Sequence, residues 1–257
     1  MIEFKKKVKT EFDNYVKNYD IKNIKIKLKV DHTYRVADYC ERIAKNLSLK
    51  EDEITLSWLL GILHDIGRFE QIKRYNTFND SKSIDHAELG ADILFKDGMI
   101  KRFLTNNKNY NLIENAIRYH NKYKLPSELG KKEECFANIL RDADKIDILK
   151  VNTIVPFEDL YDVSSKKLYE SDISLEVLDN LMNRETVLRK LKKTPVDNIV
   201  GHISFIFGLN YKSSIKIVKE NGDLEKLMNF KSLNENTNIK LKKIREEVNK
   251  YIDESLR

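Results

Sequence analysis

Phe4, Val8, Phe12, Tyr15, Val16 and Tyr19 recur at three-to-four spacing, which predicts an amphipathic first helix with its lysines on the opposite face. The next stretch, Ile21 to Val30, alternates Ile and Lys as a half-buried strand would. No second strand-like segment exists to pair with it, so it reads as an extended lead-in. From Asp31, a good N-cap, the period returns to helical, and Val36, Ala37, Cys40, Ile43, Ala44 and Leu47 make one stripe on a helix that His32 begins. Ser48 to Glu51 matches a capping box. Ile54, Leu56, Leu59, Leu60 and Leu63 then fill a buried helix ending at Gly67, with His64 and Asp65 in its last turn.

Phe69 to Ser83 reads as a polar loop. A helix from Ile84 to Phe95 carries His86, Leu89, Gly90, Ile93 and Leu94, and another from Asn111 to Tyr123 places Ile113, Ala116, Ile117 and His120 on one side. Glu133 to Val151 follows with Ala137, Leu140, Asp144 and Ile148 at helical spacing, so Asp144 points where the apolar residues point. Two more helices, Leu175 to Lys192 and Asp197 to Leu209, precede a Lys/Glu-rich helix over Asn238 to Ser255. The reading is all-α, with a catalytic helical core over 1–155 and a helical C-terminal extension over 156–257 packed on it, one continuous domain being the alternative. Phe157 to Ser174, the weakest-patterned stretch, is where they would part.

Composition supports helices: 8 Gly and 3 Pro in 257 residues leave little material for strand and turn punctuation. The net charge of +6 comes from 47 basic and 41 acidic residues spread along the chain, a weak field suited to small anions and not a nucleic-acid footprint. Two cysteines, Cys40 and Cys135, without a CxxC spacing, fit a reducing cytoplasm and argue against a disulfide framework. The longest apolar runs are too short to cross a bilayer, so neither export nor membrane insertion is expected.

Five histidines are present, and the first four each sit on the apolar side or at the end of a different helix. A buried imidazole or an inward Asp is costly unless it is paired or bound to metal. His64-Asp65 lies at a helix C-terminus, where carbonyl dipoles favour a cation. With His32 and Asp144 it makes a mixed N/O set, which leaves coordination positions open and suits Mn²⁺, Fe²⁺, Zn²⁺, Co²⁺ or Mg²⁺. His202, amid Ile199, Ile203 and Phe207, reads as a core residue.

His32 in DHTYRVADYC, the doublet in LLGILHDIGRFEQ and Asp144 in ILRDADKIDIL resemble, in order and context, the H…HD…D signature of the HD superfamily. The match spans roughly residues 30 to 150. The resemblance implies a helical bundle with additional C-terminal helices, a divalent metal on His32, His64, Asp65 and Asp144, and attack of metal-activated water on a phosphoester. Asp142 is the backup for Asp144, with a salt-bridge role set beside it. His86 in DHAELGADIL and His120 in AIRYHNKY resemble the additional histidines of two-metal HD enzymes, which implies a second ion on His86 and His120 with Asp65 bridging. The alternative is that both line the pocket and bind phosphate or act as acid. Where the cyclic-di-GMP phosphodiesterases of that family carry His-His-Glu and a GYP turn, this chain reads His120-Asn121-Lys122-Tyr123-Lys124-Leu125-Pro126, so that substrate does not carry over.

Arg68, directly after the doublet, is suited to grip a phosphate oxygen pair, and Lys145 beside the last ligand is a second candidate; each is weighed against a solvated helix-end cation. Glu70, Gln71, Arg74, Tyr75 and Asp80 are read as shaping the mouth of the pocket. The expectation is therefore a phosphohydrolase acting on a phosphomonoester or phosphodiester, with a nucleotide as first choice of substrate. Asp65, Arg68, His120 and Lys145 serve its chemistry. The competing readings are a non-catalytic metal- and nucleotide-binding signalling module and a purely structural helical protein. A homo-oligomer built on the C-terminal helices is open.

Overall fold

The computed structural model describes residues 2–161 and 163–257, and among them there are helices and no strands. The chain divides into two compact units, Met1–Asp144 and Lys145–Arg257, and the division falls inside a long helix.

In the first unit, α1 (Ile2–Val16) buries Val8, Phe12, Tyr15 and Val16, the stripe its spacing predicted. α2 (Ile24–Asn46) starts well before Asp31, which corrects the extended lead-in. Asn23 is the N-cap, its side chain accepting from the Lys25 amide, and the Ile/Lys alternation winds into a first helical turns' worth of chain in which Ile26 is buried while Ile24 stays exposed. Asp31 and His32 thus sit within this helix, not at its start. α3 (Glu51–Leu63) is capped at Lys50, whose amide donates to the Glu53 carboxylate; Ser48, the expected cap, instead takes a left-handed conformation in the preceding turn.

α3 does not run to Gly67. It stops at His64, and α4 (Ile66–Tyr75) begins after Asp65 and occupies half of the expected polar loop. Ile66, Phe69 and Ile72 recur every third residue and are buried, which makes this segment helical; Asn76 in the left-handed region ends it. α5 (His86–Ala91) continues into a π-helical turn over Asp92–Lys96. α6 (Ile100–Phe103), α7 (Tyr110–Tyr119) and α8 (Lys131–Ile154) follow, α8 carrying Phe136, Ala137, Ile139, Leu140 and Ala143 buried within the first unit's residues.

Two glycines set how closely these helices approach. A Cβ on Gly61 would lie 2.4 Å from the Ala37 Cα, so α3 and α2 touch backbone to backbone. A Cβ on Gly67 would lie 2.2 Å from the His86 carbonyl oxygen and 2.6 Å from the Gly90 nitrogen. Gly67 is therefore not a helix terminator but the contact that lets α4 sit directly on α5.

The second unit contains α9 (Phe157–Tyr161), α10 (Ser165–Glu170), α11 (Leu175–Met182), α12 (Pro195–Ile203), α13 (Lys212–Asn221), α14 (Asp223–Met228) and α15 (Glu235–Leu256). The helix expected to reach Lys192 ends at Met182, because Asn183 caps it and Arg184 is left-handed. The buried Asp197 carboxylate accepts from Ser174, Lys193 and Thr194 and fixes the start of α12. His202 is packed between the rings of Tyr161 and Phe205, with Nδ1 2.9 Å from Asn152 Oδ1.

Candidate metal centre

Six side chains from five elements of the first unit converge. His32 comes from the middle of α2, His64 from the cap of α3, Asp65 from the junction of α3 and α4, His86 from the first residue of α5, His120 from the cap of α7, and Asp144 from α8. The four histidines and Asp65 are all buried.

The local folding that aims them is specific. His64 and His120 each close a helix and each turns Nδ1 back onto the carbonyl three residues earlier, Gly61 at 2.8 Å and Ile117 at 2.6 Å. His86 places Nδ1 2.8 Å from the Asp80 carboxylate. A carbonyl or carboxylate partner makes each of these Nδ1 atoms the donor, so in all three rings Nε2 keeps its lone pair. α5 itself is started by Asp85, which accepts from the Ala87 and Glu88 amides and is held by Lys122 and Asn121. Arg141, one turn before Asp144, donates to the carbonyls of Tyr119, His120, Lys122 and Tyr123 and so secures the end of α7 where His120 sits.

The Nε2 atoms meet in pairs, His32 with His64 at 3.3 Å and His86 with His120 at 3.1 Å. Asp65 lies between the pairs. Its Oδ2 is 3.5 and 3.4 Å from His32 and His64 Nε2, and its Oδ1 is 3.5 and 4.0 Å from His86 and His120 Nε2. Asp144 Oδ1 adds 3.2 Å to His32 and 3.8 Å to His64. His32, His64 and Asp65 form one group able to hold an ion, and Asp65, His86 and His120 form another. Asp80, Asp85 and His86 form a third, but its carboxylates are already matched to Arg68 and Lys122.

The electrostatics suit a cation. Burial, followed by the charges of His86 and His64, pushes the His120 imidazole down to about 3, and burial, then Arg68, lowers His86. Both rings are neutral at ordinary pH, and His120 Nε2 is an acceptor, as a metal ligand's is, whereas the alternative in which it acts as an acid needs a protonated ring. Burial alone would raise Asp65, but Lys29, His64 and His32 hold its carboxyl well below the usual range. Bare nitrogen lone pairs facing one another beside ionised carboxylates are a donor set that a divalent ion satisfies and nothing among the surrounding side chains does fully.

Arg68 stands at the edge of this group. Its Nη1 donates to Gln71 Oε1 at 2.7 Å, the Phe78 carbonyl at 2.8 Å and Asp80 Oδ1 at 2.7 Å. Its Nε is buried without a hydrogen-bond partner and lies 3.7 Å from Asp65 Oδ1. Lys145, in the second unit, donates from Nζ to the Gly208 carbonyl at 2.5 Å. Asp142, the backup for Asp144, is fully buried; neither aspartate belongs to the three groups able to hold an ion, and Asp144 meets the cluster through its Oδ1 contacts with His32 and His64. Of the residues assigned to the pocket mouth, Asp80 and Gln71 form the network around Arg68, while Glu70 pairs with Arg74 at 2.7 Å.

Sequence reasoning missed Lys29. Its Nζ lies 2.7 Å from Asp65 Oδ2 and over the Phe78 ring, 5.4 Å from its centroid. It was hidden in the stretch taken for an extended lead-in; its place three residues before His32 marks the same helix face once that stretch is helical.

The family profile described as HD domain matches residues 30–149, which holds every residue of this cluster except Lys29. No curated protein and no solved structure matches the chain. Among the described residues, no helix is long and apolar enough to cross a membrane.

Proposed function

The chain carries an HD domain, and from that premise we propose that it is a metal-dependent phosphohydrolase acting on a small phosphorylated substrate, with a nucleotide as first choice. The observation that supports this reading best is Asp65, whose two oxygens each face a pair of imidazole Nε2 atoms. His32, His64, Asp65 and Asp144 would hold one divalent cation, and His86 and His120 a second that shares Asp65. Such an ion, when bound, polarises a phosphoryl oxygen and brings water within reach of neutral-pH ionisation.

The chain's own residues do the rest. Asp80 and Gln71 lock Arg68 through Nη1, which leaves the Nε edge of the guanidinium as the part that meets a phosphoryl group. The four buried histidines wall the site from bulk water, and the Nδ1 hydrogen bonds of His64, His86 and His120 keep those three rings from turning away. The two free cysteines are in keeping with a cytoplasmic enzyme.

The test is turnover of a nucleotide and phosphodiester panel by purified protein with Mn²⁺. Activity should vanish with a chelator, return with the ion, and be lost together with metal binding in His64→Ala and Asp65→Ala. Turnover retained by the metal-stripped double variant overturns the reading. Nucleotide binding without turnover of any panel member would favour a non-catalytic sensing module.

A further inference from the structure

Lys29 and Arg68 are both largely buried cations, with side chains 16% and 14% exposed. They approach the two oxygens of one carboxylate: Lys29 Nζ is at Asp65 Oδ2 and Arg68 Nε at Asp65 Oδ1. They also flank the same ring, Lys29 at 5.4 Å and Arg68 at 5.9 Å from the Phe78 centroid. Asp65 Oδ2 is the sole hydrogen-bond acceptor for Lys29 among the described residues. Arg68 has an unpartnered Nε.

A cation held by His32, His64 and Asp65 would compete with Lys29 for Asp65 Oδ2. The lysine would then be a mostly buried ammonium without an anion, next to a guanidinium that keeps Asp80 on Nη1 but has no partner for Nε, and such groups require a counter-charge or an acceptor. The charge balance says how much. Asp65, Asp80 and Asp144 against Lys29 and Arg68 leave one negative charge; one divalent ion turns the site positive, and a second leaves it three charges positive. A phosphodiester brings one negative charge and two nonbridging oxygens. A phosphomonoester above pH ~6 brings two charges and three such oxygens, enough for an ion, the Arg68 edge and the Lys29 ammonium together.

We propose that Lys29 and Arg68 jointly grip a terminal phosphoryl group, so that the substrate is a phosphomonoester dianion and Lys29 is a substrate-binding residue. The proposal rests on the metal-dependent reading above, and its binding test is separable from turnover.

The experiment measures, by calorimetry on the Mn²⁺-loaded protein, the binding of inorganic phosphate and of dimethyl phosphate, a diester monoanion. Wild type should bind phosphate more tightly than dimethyl phosphate. Lys29→Gln should lose about tenfold or more in phosphate affinity, the scale of one charged hydrogen bond, while Lys29→Arg keeps most of it. Lys29→Met retains the aliphatic stem against Phe78, so a folding failure of the Gln variant is separated from loss of charge. Mn²⁺ affinity should hold or rise in the Gln and Met variants, because the competitor for Asp65 Oδ2 is gone. In turnover, the Gln variant should raise KM for 4-nitrophenyl phosphate much more than for bis(4-nitrophenyl) phosphate. Phosphate affinity independent of Lys29, equal binding of the two anions, or loss of Mn²⁺ on removing the lysine each overturns the proposal. Lys29-dependent phosphate binding with no turnover of any phosphoester sinks the hydrolase reading and leaves this site standing.

Discussion

His86 and His120 bring their Nε2 atoms to 3.1 Å although each ring has already committed Nδ1 as a donor, to Asp80 and to the Ile117 carbonyl. With both rings neutral, two lone pairs face each other across that gap, and Asp65 Oδ1 lies 3.5 Å from the His86 nitrogen. A cation removes the repulsion. Elemental analysis of protein reconstituted with Mn²⁺ should therefore give two ions per chain, falling to one in His86→Ala. An unchanged ratio in the variant would rule out the second position.

Gly67 controls whether that pair can form. A Cβ there meets backbone atoms of His86 and Gly90 at 2.2 and 2.6 Å, and backbone cannot swing aside as a side chain can. Gly67→Ala should cost at least the ~1–3 kcal/mol typical of overpacking and push α5 away from α4, lowering both the melting temperature and the number of ions bound. A variant as stable as wild type with full metal content would show that α4 and α5 are not in the close contact described.

How far the chain could be read beforehand depended on whether a residue's role was local. The stripes of α1 and α8 were legible because burial follows the helical period on one element, and α3 because it is apolar and buried on nearly every side. α4 was read as loop because Glu70, Gln71 and Arg74 interrupt its apolar pattern, yet Gln71 is fully buried, satisfied by Asp80, Ser83 and Ile84. Ile21 to Val30 misled for the opposite reason: its alternation is real, but a helix end that buries only Ile26 needs no stripe. At the site, His32, His64, Asp65, His86, His120 and Asp144 could be named because their residue types are costly in apolar settings. The contact of Lys29 with Asp65, and the use of Asp80 to orient His86, arise only when distant segments meet.

Asp80 ties two functions together, since one oxygen accepts from Arg68 and the other from His86. Removing the partner of a ligating histidine commonly costs about 10–100-fold in metal affinity. Asp80→Ala should weaken the His86/His120 position on that scale, leave the His32/His64 position nearly intact, and also free Arg68 and so raise KM. Competition with a fluorescent chelator resolves the two steps, and an equal loss at both would show that Asp80 merely supports the fold.

The second unit offers a pH test that the metal centre does not enter. His202 donates Nδ1–H to Asn152 Oδ1, which is itself oriented by its amide bond to the Ile148 carbonyl. Burial, then the charge of Lys192, holds the imidazole well below the ordinary histidine value of about 6.5. The folded ring therefore stays neutral over a range in which the unfolded chain has taken up a proton. Stability from this group is complete above pH ~6.5 and is lost as pH falls below it, by at most ~1.4 kcal/mol per pH unit until the folded ring also protonates. His86 and His120, which burial also lowers, add slopes of the same sign, so the quantity to measure is a difference. Denaturant unfolding of wild type and His202→Gln between pH 5 and 8 should show the two curves converging as pH falls, because the variant lacks one of the protons taken up on unfolding. Parallel curves would mean that His202 titrates alike in the folded and unfolded chain and that its contacts with Asn152 and Tyr161 do not keep it neutral.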